Sequence, residues 1–254
     1  MSSGRVLITG VSSGLGHGFA QAYLEDGWQV YGLSRRAPEG LGGAASDSGD
    51  LHFRSLDLAQ YDAIAPAVRA LLAGIDRLDL VILNAGVLGE IEDLRDASIE
   101  RLRHTMEVNL WANKAILDTL FAESNATATG DEAGPIAVEQ VVTISSGASI
   151  NGHRGWSGYS ISKAAVNMLT MLYAAEVPET HFTALAPGLI DTAMQDYMSN
   201  EADVNKFASV QRLRDARGTD AMPGPYAAAR KIMPVFSRLK QDHVSGQFAD
   251  VRKL

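Results

Sequence analysis

The segment Tyr159-Ser-Ile-Ser-Lys163 is the first candidate for chemistry, because it places a phenol and an ammonium four residues apart. Residues at this spacing share one face of a helix. A phenol has a reference pKa of about 10, and a fixed ammonium nearby lowers that pKa by stabilising the phenolate. Tyr159 could then donate a proton to a carbonyl or remove one from an alcohol. The same spacing also arises by chance on helix surfaces, so this pair alone does not establish a catalytic site.

A second hydroxyl lies upstream of this pair. The segment Ser145-Ser146-Gly147 follows an apolar run that predicts a buried strand, and Ser146 precedes Tyr159 by thirteen residues. Ligands bind beyond the carboxyl ends of the strands in open α/β sheets. We therefore expect Ser146 and Tyr159 to lie at the same edge of a sheet, although the serine segment could also be a simple loop.

A glycine-rich segment follows the first predicted strand and opens a helix. Glycines permit a tight turn and a close approach to phosphate, and the helix N-terminus offers N–H groups to it. The residues predicted to bind the pyrophosphate of a dinucleotide are Gly10, Ser12, Ser13, Gly14, Leu15 and Gly16. The spacing Gly-x3-Gly-x-Gly differs from the common dinucleotide fingerprint, and an ordinary strand-to-helix turn is the alternative.

The end of the second predicted strand indicates which cofactor binds. Sites for NAD usually carry an acidic residue here for the ribose 2′-hydroxyl, whereas an arginine accommodates a 2′-phosphate. This chain has Ser34-Arg35-Arg36 and no acidic residue. Because guanidinium groups bind phosphate through a planar fork, the sequence favours NADP(H) over NAD(H). A solvated pair of charges is the alternative.

The elements that must position these residues alternate along the chain, which is typical of a parallel sheet with helices on both faces. Strands are predicted at residues 5–9, 28–34, 51–56, 78–83, 138–144, 181–185 and 246–249. A long helix is predicted at 98–123, and others at 158–176 and 226–238. We expect an α/β fold, a single doubly wound Rossmann-type domain over residues 1–254 with a parallel sheet of about seven strands flanked by helices. Residues 193–224 fit this pattern poorly and are predicted to form a partly helical flap over the site.

The composition excludes several classes of function. The chain has 254 residues, 46% of them apolar, no cysteine and a net charge of −8. It therefore has no disulfide or thiolate metal site, its histidines show no metal-ligand spacing, and its charge argues against a nucleic-acid partner. No run of about 18 apolar residues predicts a membrane span. The N-terminus lacks the layout of a signal peptide, so we expect a cytoplasmic protein.

Taken together, the motifs resemble those of the short-chain dehydrogenase/reductase family over essentially the whole chain. They occur in the family's order and at its spacing: Thr9-Gly10-x3-Gly14-x-Gly16, Asn84-Ala85-Gly86, Asn109, Ser146, Tyr159-x3-Lys163 and Pro187-Gly188-x3-Thr192. Each motif alone is unspecific, but their joint occurrence is highly specific. The resemblance implies an NADP-dependent enzyme that transfers hydride between the cofactor and a carbonyl or alcohol.

The resemblance also implies a role for each residue. Ser146 would hydrogen-bond the substrate carbonyl, Tyr159 would be the acid and base, Lys163 would lower its pKa and bind the nicotinamide ribose, and Asn109 would hold a relay water. The residues implied to contact the remainder of the cofactor are Asp57, Leu58, Asn84, Ala85, Gly86, Pro187, Gly188, Ile190 and Thr192. Asp57 with Gln60 could instead form a helix capping box, Asn109 could be an ordinary helix residue and Pro187-Gly188 only a turn.

Within the family, the segments around Trp156, Met194 and Asp250 resemble those of sepiapterin reductases and bacterial benzil reductases. These relatives reduce a carbonyl beside another carbonyl, so we expect an NADPH-dependent reductase of an α-dicarbonyl or similar small-molecule ketone. Trp156, Met194 and Tyr197 would form an apolar wall of the substrate site. Asp250 would anchor the substrate unless it only caps the last strand or forms an ion pair. The family resemblance also favours a homodimer. An alcohol dehydrogenase or reductase for a sugar, fatty-acyl or steroid substrate and a non-catalytic NADP sensor are the rival functions.

Overall fold

The computed structural model describes residues 4–41, 50–122, 125–126, 132–133, 135–200, 203 and 205–254. Its centre is a seven-stranded parallel sheet. In chain order the strands are β1 (Arg5–Thr9), β2 (Gln29–Ser34), β3 (Leu51–Ser55), β4 (Leu80–Leu83), β5 (Gln140–Ile144), β6 (His181–Ala186) and β7 (Phe248–Asp250). Their spatial order is β7-β6-β5-β4-β1-β2-β3. This doubly wound sheet confirms the predicted fold class.

Helices cover both faces of the sheet. In chain order they are α1 (Gly14–Glu25), α2 (Tyr61–Leu71), α3 (Ile99–Met106), α4 (Ala112–Leu120), α5 (Ser157–Glu176), α6 (Ala193–Asn200), α7 (Ala208–Ala216) and α8 (Pro225–Asp242). Successive side chains of a strand point to opposite faces. In β1, Val6 and Ile8 accordingly pack with α1 and α8, whereas Leu7 packs with α2, α4 and α5. The nearly continuous apolar sequences of the inner strands follow from burial on both faces.

Three predicted elements differ from the observed ones. The helix predicted at 98–123 is divided, because a π-helical turn, Glu107–Trp111, separates α3 from α4, which ends at Leu120. The side-chain pattern of a helix does not reveal one extra residue per turn. The strands predicted at 78–83 and 138–144 are also interrupted. Arg77–Leu78 pairs with Ala137–Val138, whereas β4 begins only at Leu80 and β5 only at Gln140.

The carboxyl edge of the sheet gathers the predicted site. The loops after β1, β4, β5 and β6 meet there, and the region predicted as a partly helical flap contributes α6 and α7. Phe207 and Val210 of that region are buried against Leu88 and Ile91, which follow β4. Among the described residues, no helix is long and apolar enough to span a bilayer.

Candidate active site

The glycine-rich loop after β1 is fastened to the loop after β4. The Thr9 hydroxyl accepts hydrogen bonds of 3.0 Å from the backbone N–H groups of Asn84 and Ala85, and Asn84 Nδ2 donates to the Thr9 carbonyl at 3.0 Å. A Cβ on Gly16 would lie 2.4 Å from Asn84 Nδ2, so only glycine fits there. Asn84 therefore both lines the cavity and holds the two loops together.

The N-terminus of α1 is arranged to receive an anion. Gly10 and Gly14 adopt φ values of +78° and +59°, which favour glycine and allow the chain to turn sharply into the helix. Ser13 is the N-cap residue, but its hydroxyl caps no backbone N–H. The first-turn N–H groups are thus not satisfied by a side-chain cap, and Gly10, Ser13 and Gly14 line the cavity in front of them.

Arg35 extends the cavity beyond β2, and Arg36 follows it outside the cavity lining. The Ser34 hydroxyl donates to the Arg36 carbonyl at 2.7 Å, and the Ser55 hydroxyl donates to the Arg35 carbonyl at 2.9 Å, so side chains hold this backbone in place. Both arginine side chains are exposed, and within the described part of the chain neither pairs with a carboxylate. Arg35 lines the main cavity and, with Arg54, an adjoining surface hollow.

Asp57 stabilises a turn rather than a helix terminus. Its Oδ1 accepts the backbone N–H of Ala59 at 3.1 Å, while α2 begins at Tyr61 and its N-cap residue, Gln60, makes no side-chain cap. The capping box considered as an alternative is therefore absent at this helix. Asp57 and Leu58 instead line the same cavity as the glycine loop.

Ser146, Tyr159 and Lys163 line the same cavity. The Ser146 hydroxyl is hydrogen-bonded to Tyr159, and this bond opposes the rise in the Tyr159 pKa that burial causes. Lys163 is 3% exposed and donates from Nζ to the Ile144 carbonyl at 2.7 Å. Burial disfavours its charged form and lowers the Lys163 pKa to about 8. Nζ lies 5.7 Å from the centre of the Tyr159 ring.

Asn109 lies behind these residues, at the middle of the π-helical turn. Its Oδ1 accepts the Val87 N–H at 2.8 Å, and its Nδ2 donates to the Val87 carbonyl and the Ser162 hydroxyl, both at 2.9 Å. Both Nδ2 hydrogens are used in joining the loop after β4 to α5, whereas Oδ1 keeps one lone pair. The Asn109 backbone carbonyl also accepts a hydrogen bond from Asn113 Nδ2 at 2.8 Å.

The cavity has a volume of about 450 Å³, within the range of ligand sites. Most of the predicted site residues line it: Gly10, Ser12, Ser13, Gly14, Leu15, Ser34, Arg35, Asp57, Leu58, Asn84, Ala85, Gly86, Ser146, Trp156, Tyr159, Lys163, Pro187, Gly188, Ile190, Thr192 and Met194. Five predicted residues do not line it, namely Gly16, Arg36, Asn109, Tyr197 and Asp250. Gly16 and Asn109 act as packing and bracing residues, and Arg36 is exposed beside Arg35.

Asp250 forms an ion pair, which was the alternative to its predicted role as a substrate anchor. Its buried carboxylate accepts bonds from Arg252 Nε at 2.9 Å and from the second guanidinium nitrogen, Nη2, at 2.6 Å. These bonds lower the pKa of Asp250. The Arg252 guanidinium in turn lies 3.2 Å from the position that a Cβ on Gly147 would occupy, and its side chain lies over Gly188. Asp250 therefore orients Arg252 between two loops of the site.

The flap region is anchored beside the cavity by a cluster of charges. The Asp93 carboxylate accepts hydrogen bonds of 2.6 and 2.8 Å from the Arg154 guanidinium, and it lies 3.2 Å from Lys206 Nζ. Asp93 is only 7% exposed. The hydrogen bonds from Arg154 hold the pKa of Asp93 well below its usual range. Trp156 Nε1 donates to the Ser209 hydroxyl at 2.7 Å, which joins the start of α5 to α7. Met194 and Tyr197 pack in the same apolar cluster as Trp156, so Tyr197 supports the cavity wall from behind.

Sequence reasoning missed several cavity-lining residues. They are Leu56, Val87, His104, Val108, Ile144, Leu189, Ala193, Gln195 and Leu213. Leu56, Val87 and Leu189 adjoin motifs that were recognised, so their positions were accessible. His104 and Leu213 come from α3 and from α7, and no sequence pattern indicates which face of these helices meets the cavity. Among the described residues, no group of three potential ligand side chains could hold a metal ion.

The doubly wound sheet with a cavity at its carboxyl edge defines a Rossmann-type fold. The family model for the short chain dehydrogenase matches residues 5–203, and the chain belongs to that family, as predicted. It is 28% identical over 255 residues to a benzil reductase ((S)-benzoin forming) of Bacillus subtilis, covering 97% of this chain and 98% of the relative. The predicted similarity to benzil reductases is confirmed, whereas that to sepiapterin reductases stays a prediction.

Solved structures have the same fold. A short chain dehydrogenase/reductase of Saccharomyces cerevisiae superimposes with a TM-score of 0.79 at 22% identity, covering 98% of this chain and 96% of that chain. A putative NAD(P) dependent gluconate 5-dehydrogenase of Beutenbergia cavernae with bound NADP gives 0.75 at 24% identity, covering 99% and 96%. At these identities the likeness establishes the fold alone.

Proposed function

We propose that this protein is an NADPH-dependent carbonyl reductase that converts an α-dicarbonyl compound to a hydroxy ketone. One observation carries the proposal: a single cavity is lined both by Ser146, Tyr159 and Lys163 and by the glycine loop and Arg35. A cofactor spanning this cavity would reach from a phosphate site to a proton donor. The arrangement suits hydride transfer coupled to proton transfer.

The residues of the cavity fit NADP(H). The uncapped first turn of α1, with Ser12, Ser13 and Gly14, would bind the pyrophosphate, and Asp57, Leu58 and the loop after β4 would enclose the adenosine. Arg35 and Arg36, which pair with no carboxylate in the described part of the chain, would bind the 2′-phosphate. Ile190 and Thr192 would hold the nicotinamide carboxamide beside Pro187-Gly188. The bound NADP of the B. cavernae structure is consistent with this choice of cofactor.

The chain's own residues would manage the proton. NADPH, when bound, supplies the hydride. Ser146 would donate a hydrogen bond to the substrate carbonyl oxygen, and Tyr159 would protonate that oxygen as charge develops on it. The buried Lys163 ammonium would stabilise the Tyr159 phenolate left behind and bind the ribose hydroxyls. A relay water would bind Asn109 Oδ1, which accepts the Val87 N–H and keeps one lone pair.

An α-dicarbonyl substrate is supported by the cavity wall and by one relative. Trp156, Met194, Val108 and Leu213 offer apolar and aromatic surface beside the proton donor, which suits a planar or aryl ketone. The B. subtilis relative, which matches nearly the whole chain, is named for the reduction of benzil, an aryl diketone. A pterin side chain carries the same kind of carbonyl pair, but Asp250, which would have anchored it, is engaged by Arg252.

We further propose that residues 1–254 form one cytoplasmic domain that assembles as a homodimer. The outer face of α5 exposes Ile161, Met168, Met171 and Leu172, and Trp111 is exposed at the end of the π-helical turn. An apolar stripe at helical spacing on a surface helix is typical of a protein interface. A second copy of α5 would cover the stripe through a two-fold axis.

The test is an assay of NADPH oxidation with a panel of carbonyl compounds. We expect turnover of benzil and related diketones, with the hydroxy ketone as product. Activity confined to sugar, fatty-acyl or steroid substrates would favour the rival enzyme class. Tight NADPH binding without turnover of any carbonyl would favour a cofactor sensor.

A further inference from the structure

A directional chain of hydrogen bonds runs behind Ser146. The Ser145 hydroxyl donates to Asn167 Oδ1 at 2.5 Å, and Asn167 Nδ2 donates to the Ser149 hydroxyl at 2.9 Å. The Ser149 hydroxyl then donates to the Ser146 carbonyl at 2.6 Å. Each donor in this series of hydrogen bonds has one acceptor, so the orientation of each group fixes that of the next.

Asn167 lies on the same helix as the proposed proton donor. Tyr159, Lys163 and Asn167 are spaced by four residues along α5 and therefore share one face. The loop from Ser145 to Ser149 is thereby bonded directly to the helix that carries Tyr159. No other side-chain hydrogen bond within the described residues joins α5 to this loop, apart from the Ser146–Tyr159 contact itself.

We propose that Asn167 is a positioning residue that sets the distance between the Ser146 and Tyr159 hydroxyls. The proposal rests on the proposed function, in which both hydroxyls contact the substrate carbonyl. Asn167 itself lies outside the cavity lining and would act through Ser145 and Ser149.

The position of the Ser146 hydroxyl depends on the conformation of the loop from Ser145 to Ser149, which Asn167 holds. Ser146 Oγ accepts the Ala148 N–H at 3.1 Å, which leaves its hydroxyl hydrogen free to point toward a substrate or Tyr159. This bond forms only while Ser146, Ala148 and Ser149 keep their short 3₁₀ turn. The Ser149 backbone N–H closes that turn on the Ser146 carbonyl at 3.0 Å. The Ser149 hydroxyl adds a second bond to the same carbonyl, and Asn167 holds that hydroxyl. Loss of Asn167 would let the Ser146 hydroxyl move relative to Tyr159, and a displacement of about 1 Å can cost roughly a hundredfold in rate.

Four variants test the hydrogen-bond chain through Asn167 and Ser149, here called the clamp. Asn167→Ala removes it, and we expect kcat for carbonyl reduction to fall about ten- to a hundredfold while the NADPH Kd stays within about twofold. Ser149→Ala breaks only the last link and should lower kcat in the same direction, whereas Ser149→Thr keeps a hydroxyl and should restore it. The double variant Asn167→Ala with Ser149→Ala should be no slower than Asn167→Ala, because both act through one chain.

Thr170→Val is the matched control. The Thr170 hydroxyl bonds the Thr143 hydroxyl at 2.6 Å, which also joins α5 to β5 within the core but does not touch the Ser146 loop. This variant should lose thermal stability and keep its kcat. An equal fall of kcat in Thr170→Val and Asn167→Ala, or a kcat for Asn167→Ala within threefold of wild type, would overturn the proposal.

A crystal structure of Asn167→Ala separates this proposal from the proposed function. We expect the Ser146 hydroxyl to be displaced from Tyr159 whether or not the wild-type protein reduces any carbonyl. An unchanged Ser146–Tyr159 contact in the variant would overturn the positioning role. Failure of the wild-type protein to reduce any carbonyl would count against the proposed function alone.

Discussion

Lys163 Nζ donates a 2.7 Å hydrogen bond to the backbone carbonyl of Ile144, the last residue of β5. The ammonium is 3% exposed, and the strand carbonyl is its one hydrogen-bond acceptor among the described residues. The bond fixes α5 against the end of β5, which Ser145 and Ser146 follow directly. It also accounts for how a buried cation is tolerated, since burial without a polar partner would cost far more.

The burial of this ammonium should appear as a pH dependence of stability. The Lys163 pKa is about 8 when folded and has an ordinary value of 10.5 when unfolded, so between these values the unfolded chain binds more protons. Stability therefore rises with pH through this window, and Lys163→Met should lack that contribution. We expect the difference in unfolding free energy between variant and wild type to change by about 2–3 kcal/mol from pH 7 to pH 10.

Chemical denaturation of both proteins at several pH values measures this difference. The comparison cancels the other titrating groups, because they are common to the two proteins. Parallel stability curves over this range would show that the folded pKa of Lys163 is not lowered.

Tyr159→Phe tests the proposed proton donor. The substitution removes only the hydroxyl that bonds Ser146, so the cavity and the NADPH Kd should be nearly unchanged. We expect turnover to fall at least a hundredfold, because general acid catalysis contributes about 10²–10⁴. The matched control is Tyr226→Phe, which removes an exposed hydroxyl on α8 that bonds Glu25. Activity of Tyr159→Phe near that of wild type would remove the phenol from the mechanism.

Much of this site could be predicted because its residues lie at motif positions tied to backbone geometry. Gly10 and Gly14 adopt the positive φ values that their positions after a strand imply, and Tyr159 and Lys163 share the helix face that their spacing requires. Such features depend on residues close in sequence, and the parallel sheet then brings the loops together. The fold class follows from the same local patterns.

Contacts between distant elements could not be predicted. The engagement of Asp250 by Arg252 depends on how the chain turns after β7, and the same aspartate could equally have faced a substrate. The π-helical turn around Asn109 leaves no mark in the side-chain pattern. Asn167 was missed because its partners lie 18 and 22 residues away and become neighbours only when α5 packs on the sheet.

Arg35 and Arg36 should determine cofactor choice. Hydrogen bonds between charged groups contribute about 1.5–3 kcal/mol each, so Arg35→Asp with Arg36→Ala should raise the NADPH Kd at least about tenfold. The NADH Kd should change far less, because NADH has no 2′-phosphate. Isothermal titration with both cofactors measures the ratio. Lys231→Ala with Arg238→Asp makes the same change of charge on exposed positions of α8 and should leave both affinities unchanged. Equal losses for the two cofactors would mean that the arginines do not bind the 2′-phosphate.

The exposed stripe on α5 should mediate self-association. Met168→Glu with Leu172→Glu would place two like charges inside a two-fold interface, and we expect a monomer in sedimentation velocity where the wild type is a dimer. The control is Leu94→Glu, at an exposed apolar position outside α5, and it should stay dimeric. A wild-type monomer, or a variant that remains dimeric, would contradict the proposed interface.

Asp93 should couple the flap region to the site. It binds Arg154, just before α5, and Lys206, just before α7, so Asp93→Asn would weaken both anchors without removing the side chain. We expect the KM for the carbonyl substrate to rise several-fold and residues 193–224 to become more sensitive to proteolysis, with NADPH affinity unchanged. The Asp93 pKa is lowered in the folded state, so this anchor is intact at neutral pH and is lost only as the pH falls below its ordinary value of 3.8.

Arg230→Gln is the control for this substitution. It weakens a comparable charge cluster with Glu25 and Asp26 on the far side of α1, away from the cavity. Steady-state kinetics and limited proteolysis of the two variants, performed side by side, should show a change only for Asp93→Asn. If both variants keep the wild-type KM and the same cleavage pattern, the carboxylate of Asp93 stabilises a surface loop and nothing more. A rise in KM confined to Asp93→Asn would mean that substrate affinity depends on how firmly Arg154 and Lys206 hold the flap against Trp156.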